Sequence, residues 1–253
     1  ILAEINVDAV IVSDLGGVRM VRSVAPDLPV HLSTQSSCLN KYSGQFWKKM
    51  GVTRLILGRE VTILEAHAIK LATGLEVELF IHGSMCSAYS GNCVISNFTS
   101  GRDSNRGGCK HSCRFEYTLE SKNEAATTYF MSSKDLNGIK LLPEFIKYEI
   151  DSIKVEGRMK SNLYAAVVAK AYSRSINAFV SGMRDSELES ELAAEFIELN
   201  KLPHRDYFTG SLKSAARFDS TFHEREDVNR KEYAQVGTVS AIFDTEMFID
   251  VKN

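Results

Sequence analysis

Four of the five cysteines in this 253-residue chain lie in one polar stretch, and their thiols offer the clearest chemistry in the sequence. Cys86, Cys93, Cys109 and Cys113 fall within 28 residues, at the spacing C-x6-C-x15-C-x3-C. Glycine, serine and asparagine dominate the residues between them, so apolar packing supplies little to offset the entropy of ordering this segment. Four thiolates that bind one metal centre would supply the missing stabilisation.

Three interpretations of these cysteines remain open from the sequence. The thiols are unrelated buried or surface groups, or they form disulfides, which are typical of short secreted chains, or they bind a metal centre. Structural zinc sites usually have two tight C-x2–4-C pairs, and only Cys109 and Cys113 form such a pair here. The wide and unequal spacing favours a 4Fe-4S cluster, with zinc as the second choice.

The composition is that of a soluble globular protein. Hydrophobic residues make up 44% of the chain and charged residues 25%. No apolar run approaches the roughly 20 residues that a membrane-spanning helix needs, so we expect no membrane association and a cytoplasmic location. The formal net charge of −2 gives no overall attraction to nucleic acid, and any contact with RNA must therefore depend on a local basic patch.

Short apolar runs alternate with helical patterns along the chain, which predicts a parallel sheet with right-handed crossovers. Strands are predicted at 7–13, 29–33, 54–57, 76–81, 129–132 and 150–155. Helices are predicted at 15–22, 39–50, 61–72, 136–148, 159–180 and 185–198. No G-x-G-x-x-G turn follows any of these strands, so a dinucleotide-binding fold has no support.

We interpret this alternation as a (β/α)8 TIM-like barrel that is N-terminally truncated to about six β/α units. The barrel, with its cysteine-rich loop at 82–117, is expected over 1–200, and a helical or irregular connection over 201–232. Strand patterns at 233–238 and 247–251 predict the start of a small C-terminal β domain at 233–253. A barrel without two of its strands has unpaired edges, so we expect a homodimer or a second chain to complete it.

Functional groups of a β/α barrel gather at the carboxyl ends of its strands. Polar residues follow the predicted strands, and five of them are not readily explained as helix caps: His31, Gln35, His82, Glu156 and Arg158. Glu156 is a candidate base and Arg158 a candidate clamp for a carboxylate or phosphate, although a mutual ion pair explains them equally well. The two histidines are candidate acid–base groups, donors to the metal ligands or ordinary core residues.

The cysteine-rich loop also contains a basic patch that predicts contact with RNA. The candidate phosphate contacts are Arg102, Arg106, Lys110 and Arg114, together with Lys160. Candidate stacking faces for an extruded base are Tyr89, Phe98, Phe115 and Tyr117. Because charged loops are usually only solvated, the patch alone is a weak signal.

Four motifs carry a resemblance to a known family: HGSMCSAYSGNC, SGRDSNRGGCKHSCR, SSKDL and IKVEGRMKS. They resemble the collagenase-like peptidase family of unassigned catalytic type, and they are most similar to its tRNA-hydroxylating branch. The resemblance covers essentially the whole chain, and it also implies the barrel. It implies iron–sulfur-dependent, oxygen-independent hydroxylation of a tRNA wobble uridine to 5-hydroxyuridine. Prephenate, a small acidic co-substrate, is the hydroxyl source that the resemblance implies.

Two other functions are compatible with the sequence. The family name favours a collagenase-like peptidase, but no H-E-x-x-H or G-x-S-x-G motif is present. Cys38 could act as a papain-like nucleophile, although no local signature supports it. A metal-stabilised RNA-binding adaptor without catalysis is the third possibility.

Overall fold

The computed structural model of the protein describes residues 1–122, 124–215, 236–243 and 246–251. The chain forms two compact units. The first consists of Ile1–Glu156 with Asp206–Glu226, and the second of Gly157–Arg205 with Asp227–Asn253. Both strands and helices are present, which confirms the predicted α/β class. None of the described helices is long and apolar enough to cross a bilayer.

Strands and helices alternate along the first part of the chain, as predicted. The elements in order are β1 (Val10–Val12), α1 (Leu15–Val24), β2 (Val30–Leu32), α2 (Lys41–Lys49), β3 (Arg54–Ile56), α3 (Ile63–Thr73) and β4 (Glu76–Ser84). Local signals set the helix starts. The side chain of Asp14 accepts a hydrogen bond from Gly17 N at 2.8 Å, and Thr62 with Glu65 forms a capping box at the start of α3.

The cysteine-rich loop has its own short elements. They are α4 (Ile95–Ser100), single 3-10 turns at Ser104–Arg106 and Ser112–Arg114, and a hairpin of β5 (Tyr117–Glu120) and β6 (Ala125–Thr128). The chain continues through β7 (Asp135–Asn137), α5 (Leu142–Lys147), β8 (Ser152–Glu156), α6 (Asn162–Val180), α7 (Asp185–Asn200) and β9 (Tyr207–Phe208). An antiparallel hairpin of β10 (Gly237–Phe243) and β11 (Glu246–Val251) follows.

The main sheet is mixed. Strands β1, β2, β3 and β4 pair in parallel in sequence order, and β8 pairs in parallel with β4. The other edge of β4, beyond the end of β3, carries the antiparallel strand β7, to which β9 is parallel. Fully buried side chains on the strands form the core with the helices, among them Leu32, Leu55, Val77 and Ile81. Within the described residues this sheet is open, and the closed barrel stays a prediction.

The structure corrects the predicted strand at 129–132, which is wrong. Ser132 N donates a hydrogen bond to Tyr129 O at 3.0 Å, so this segment forms a turn. The strand of this region is β7, at Asp135–Asn137, and it runs antiparallel to the end of β4. Its sequence is polar, but each of its residues is buried in the sheet, so hydrophobic alternation could not reveal it.

One helix prediction and the predicted C-terminal strands also need adjustment. The helix expected at 136–148 begins only at Leu142, because β7 and a 3-10 turn at Ile139–Leu141 precede it. Pro143 lies in its first turn, where the missing N–H leaves no bond unmade. The C-terminal strands lie at 237–243 and 246–251, and the predicted residues 233–235 lie outside the described part of the chain.

Candidate active site and metal centre

The carboxyl ends of the parallel strands define one edge of the sheet, which we call the rim. Cys86 follows the end of β4 by two residues, and Glu156 is the last residue of β8, in register with Gly83. Ser84 N donates a hydrogen bond to Glu156 Oε2 at 3.3 Å. A candidate base is therefore attached to the strand end that leads into the cysteine-rich loop.

The thiols of the four loop cysteines lie close enough to interact electrostatically. Cys86 is partly solvent-exposed as a residue, yet enough protein surrounds its thiol that burial raises its pKa above the usual value. The Arg59 guanidinium lowers that pKa, and the thiolates of Cys113, Cys109 and Cys93 raise it again. All five cysteines are free thiols, so the structure has no disulfide among them.

The arrangement of the thiols bears on the kind of metal centre they could bind. Among the described residues, no group of three or more His, Cys, Asp or Glu side chains is placed to hold a single metal ion. A zinc–sulfur bond of about 2.3 Å brings the sulfurs of a tetrahedral site within about 4 Å of one another. In a cubane cluster each cysteine binds a different iron, so the sulfurs lie further apart. The four thiols thus interact without forming a ready single-ion site among the described residues, and the choice between a 4Fe-4S cluster and zinc stays a prediction.

A network of hydroxyl groups holds the cysteine-rich loop together. Ser96 and Ser112 are each 1% exposed, and their Oγ atoms are hydrogen-bonded at 3.2 Å. Thr99 Oγ1 donates to Ser112 Oγ at 2.7 Å, and Tyr117 OH donates to Ser112 O at 2.7 Å. Asn105 Nδ2 also donates to Cys93 O at 2.9 Å. These bonds join α4 to the Cys109–Cys113 turn and supply part of the order that apolar packing cannot give.

Arg114 lies inside the protein, although its basic neighbours suggested a surface contact with RNA. Its Nη1 donates to Ser84 Oγ at 3.2 Å, and its Nη2 donates to Met85 O at 3.3 Å and lies 3.9 Å from Asp135 Oδ1. The side chains of Arg114 and Asp135 are only 11% and 3% exposed. Because Arg114 follows Cys113 and Met85 precedes Cys86, this guanidinium fixes two cysteines relative to each other.

We therefore expect Arg114→Lys to lower cluster occupancy while the protein remains folded. A lysine ammonium cannot reproduce the planar fork that contacts three acceptors in different directions. Iron and sulfide per chain, measured after anaerobic purification, should fall several-fold. The control is Arg106→Lys, since the Arg106 side chain is 86% exposed and its ion pair with Asp103, at 3.6 Å, lies within the same loop. A full complement of iron in Arg114→Lys would show that this contact does not position the cysteines.

The two candidate histidines lie within strands. His31 is the central residue of β2, half-buried beside the charged side chains of β3, β4 and β8. Burial lowers its pKa, and Arg54 lowers it further. His82 is 1% exposed, because β4 continues to Ser84, and its ring centroid is 5.5 Å from that of Tyr207. His82 therefore belongs to the core of the first unit.

His31 belongs to a charged network on one face of the sheet. Glu78, in the middle of β4, is 6% exposed. Its carboxylate accepts hydrogen bonds from Ser152 Oγ and Lys154 Nζ, both at 2.8 Å, and from Arg54 Nη1 at 3.4 Å. These partners stabilise the charged form and hold the pKa of Glu78 low against the opposing effect of its burial.

Gln35 lies at the rim, where it meets the first turn of the cysteine-rich loop. Gly91 has a φ of 81°, and a Cβ there would collide with Gln35 O, so only glycine fits this close approach. Gln35 Oε1 is buried without a hydrogen-bond partner. Glu60 is similar, because its Oε1 accepts from Ser90 N at 2.8 Å while its buried Oε2 has no partner. Two oxygen acceptors are thus available beneath the loop.

Arg59 is a rim residue that the sequence did not single out. Its guanidinium lies over the ring of Phe80, 3.9 Å from the centroid, and close enough to Cys86 to lower the pKa of that thiol. Its Nε is buried without a hydrogen-bond partner. Arg59 follows a strand in the sequence, but spacing alone does not distinguish it from any other charged residue at a strand–helix junction.

The remaining candidates are placed as follows. Arg102, Arg106 and Lys110 are exposed on the cysteine-rich loop. Arg158 and Lys160 belong to the second unit, whereas Glu156 ends the first. Lys160 Nζ donates to Pro203 O at 3.4 Å and lies 5.2 Å from the centroid of the Tyr164 ring.

Comparison with known proteins gives a consistent set of relatives. Residues 1–220 match Peptidase family U32. A protein named tRNA hydroxylation protein P1, from Bacillus subtilis (strain 168), is 39% identical over 247 residues, which are 94% of this chain and 58% of that protein. The 23S rRNA 5-hydroxycytidine C2501 synthase of Escherichia coli (strain K12) is 33% identical over 87% of this chain and 35% of its own. A protein named Collagenase, from Porphyromonas gingivalis (strain ATCC BAA-308 / W83), is 27% identical over 72% of this chain and 47% of its own.

The chain thus spans 58% or less of the length of these three relatives. No solved structure matches it.

Proposed function

The chain belongs to peptidase family U32, and on that premise we propose that it is part of an RNA-modifying enzyme that hydroxylates the wobble uridine of tRNA to 5-hydroxyuridine. Relatives whose names state tRNA hydroxylation and 5-hydroxycytidine synthesis support this proposal. The structural observation that carries it is the electrostatic coupling of four cysteine thiols, one of which, Cys86, lies two residues beyond the rim end of β4. This is the edge at which α/β barrels place their chemistry.

We propose Cys86, Cys93, Cys109 and Cys113 as the ligands of a 4Fe-4S cluster. When bound, such a cluster supplies electron transfer or a Lewis-acidic iron at the rim. His111 N donates to Cys109 Sγ at 3.3 Å, and hydrogen bonds of this kind stabilise ligand sulfurs and tune reduction potential. Iron and sulfide analysis with an anaerobic absorption spectrum tests the ligand set. A colourless protein that contains zinc would contradict it.

Side chains at the rim have proposed roles in binding and proton transfer. Glu156, oriented by Ser84 N, is the proposed base that takes a proton from the reacting nucleotide or from the co-substrate. Arg158, which belongs to the second unit, stays a candidate for binding the carboxylate of a small acid, and prephenate is the proposed hydroxyl source. Gln35 is a candidate hydrogen-bond partner for the substrate, because its buried Oε1 has no hydrogen-bond partner among the described residues. His31 and His82 support the strands that place these groups.

We propose that the sheet is part of a TIM-like barrel in the whole protein. Within the described residues β1 pairs only with β2, so its outer edge is available for another strand. A completed TIM-like barrel, formed with further chain or with a second copy, would supply it. A cytoplasmic location follows from a tRNA substrate.

A peptidase is the competing function, and the surroundings of Cys38 disfavour it. Cys38 is fully buried, and burial raises the pKa of its thiol to about 11. The reactive form of a cysteine nucleophile is the thiolate, which requires a lowered pKa and access to substrate. At neutral pH the Cys38 thiol is protonated and out of reach.

We expect the purified full-length protein not to cleave gelatin in a manner that depends on Cys38 or His31. Cys38→Ala should leave the 5-hydroxyuridine content of cellular tRNA at the wild-type level, since the residue packs in the core. Gelatin zymography and mass spectrometry of tRNA nucleosides measure the two outcomes. Cleavage lost in Cys38→Ala, with tRNA modification intact in a strain that lacks the protein, would establish the peptidase instead.

A further inference from the structure

Helix α4 has the reverse of the usual polarity of a surface helix. Phe98 on α4 is 87% exposed, more than any other aromatic side chain among the described residues. The buried position of the helix is Ser96, at 1% exposure, with its hydroxyl bonded to Ser112. Surface helices normally bury apolar residues and expose polar ones. The folded chain therefore gains no packing from the Phe98 ring.

Basic residues lie close to the backbone of α4. Arg102 N donates to Ser96 O at 3.1 Å, and Lys110 N donates to Ser96 Oγ at 3.2 Å, so both residues lie next to the backbone of α4. Arg106 is 86% exposed, and its solvated ion pair with Asp103 is weak. Asp103 is the only acidic residue of the sequence from 94 to 114. The ring thus lies in a segment of net positive charge.

We propose that Phe98, Arg102, Arg106 and Lys110, here called the α4 surface, form a contact site for an unpaired stretch of RNA. The Phe98 ring stacks on one base, and the three basic side chains contact phosphates. This inference rests on the proposed RNA substrate and adds the residues and the strand state that are recognised. An aromatic face within a basic segment is the combination that proteins use to bind single strands.

The chemistry of the α4 surface favours unpaired RNA over two other partners. A base in a duplex is already stacked on both faces, so an exposed ring gains contact only with an unpaired one. A protein partner is typically met by a cluster of apolar side chains with few charges at its centre. The segment 94–114, which contains Phe98, has a net positive charge, which complements a phosphate backbone.

The α4 surface is also part of the segment that the proposed ligand cysteines bound. It lies between Cys93 and Cys109, and Asn105 Nδ2 bonds to Cys93 O at 2.9 Å. Thr99 Oγ1 bonds to Ser112 Oγ, next to Cys113. The metal centre and the RNA contact therefore share one framework, and removal of the metal should weaken RNA binding as well as chemistry.

The test is binding of two fluorescent RNAs to the full-length protein purified without oxygen. One is a stem–loop whose unpaired loop contains the wobble uridine, and the other is a fully paired duplex of equal length. Phe98→Ala should weaken loop binding roughly 5- to 150-fold, the range for loss of one base–aromatic stack. The affinity of Phe98→Leu for the loop RNA should lie between those of Phe98→Ala and the unchanged protein, because leucine keeps apolar area but has no flat ring. Duplex binding should stay unchanged.

The salt dependence of RNA binding distinguishes the contribution of the Phe98 ring from that of the basic side chains. Phe98→Ala should leave the slope of log affinity against log salt unchanged, because the ring carries no charge. Arg106→Ala should reduce the magnitude of that slope by about 0.7, the value for one single-strand phosphate contact. Phe46→Ala is the matched control, since Phe46 is 48% exposed on α2. Its neighbour Gln45 bonds to Ala72 O near the end of α3, at the end of the sheet away from the rim.

Three results would contradict the proposed role of the α4 surface. In the first, Phe98→Ala binds the loop RNA as tightly as the unchanged protein does. In the second, Phe98→Ala loses the same affinity for the duplex as for the loop RNA. The third is unaltered RNA binding with a changed thermal stability or assembly state, which would assign the ring to a protein contact. Wobble hydroxylation, measured separately, keeps the two proposals distinct. Phe98-dependent loop binding without any hydroxylation would support the α4 surface and refute the proposed reaction.

Discussion

Replacing Cys113 with serine should prevent binding of the proposed iron–sulfur cluster and abolish the proposed formation of 5-hydroxyuridine. A 4Fe-4S cluster binds about four iron atoms through four thiolates, and a serine hydroxyl is a poor ligand for iron at neutral pH. Anaerobically purified Cys113→Ser should therefore contain less than about one iron per chain, and tRNA from cells that express it should lack the modified nucleoside. Iron analysis and nucleoside mass spectrometry measure the two effects.

Cys38→Ala is the matched control for this substitution. It removes the fifth thiol, which is fully buried outside the cysteine-rich loop, and it should retain both the cluster and the modification. The same loss in both variants would point to general misfolding. Retention of a full cluster in Cys113→Ser would remove Cys113 from the ligand set and contradict the proposed metal centre.

Glu156→Gln should lower tRNA hydroxylation by about 10²- to 10⁴-fold, the usual contribution of a general acid–base group. Glutamine keeps the size of the side chain and an oxygen that accepts the bond from Ser84 N, but it cannot take up a proton at neutral pH. The cluster should remain at full occupancy, because the substitution changes no thiol. The initial rate of 5-hydroxyuridine formation and the iron content per chain test this together.

Glu76→Gln provides the comparison for Glu156. Glu76 begins β4, at the opposite end of the strand from the rim, and its half-exposed carboxylate pairs with Arg54 at 2.8 Å. It should leave hydroxylation unchanged. A rate for Glu156→Gln within two-fold of that for Glu76→Gln would exclude Glu156 as the base and leave it as a structural partner of the β4 end.

Local sequence determined much of the fold that surrounds the site. Apolar runs predicted the strands β1, β2, β3, β4 and β8, of which β2, β3 and β4 are mostly buried. Each of the five is followed by a helix except β4, which leads into the loop. Capping residues such as Asp14 were visible because their effect depends on neighbours three residues away. The four cysteines were visible because thiols are rare and their spacing is distinctive.

Tertiary contacts determined what sequence reasoning missed. Arg114 occurs in a basic run beside Arg106 and Lys110, and only its acceptors Ser84 and Asp135, distant in the chain, turn it inward. Two of the three residues of β7 are polar, and the strand is defined by its backbone pairing with β4 and β9, which apolar periodicity does not reveal. His82 was expected at a strand end, but β4 is three residues longer than its apolar run.

The most direct test of the proposed reaction is the 5-hydroxyuridine content of tRNA from an anaerobic culture of a strain that lacks the protein. Growth without oxygen removes any route that uses dioxygen. Full-length protein should restore the nucleoside at the wobble position, whereas the Cys113→Ser form should leave unmodified uridine there. Equal amounts of 5-hydroxyuridine in the strain with and without the protein would contradict its assignment as a tRNA hydroxylase.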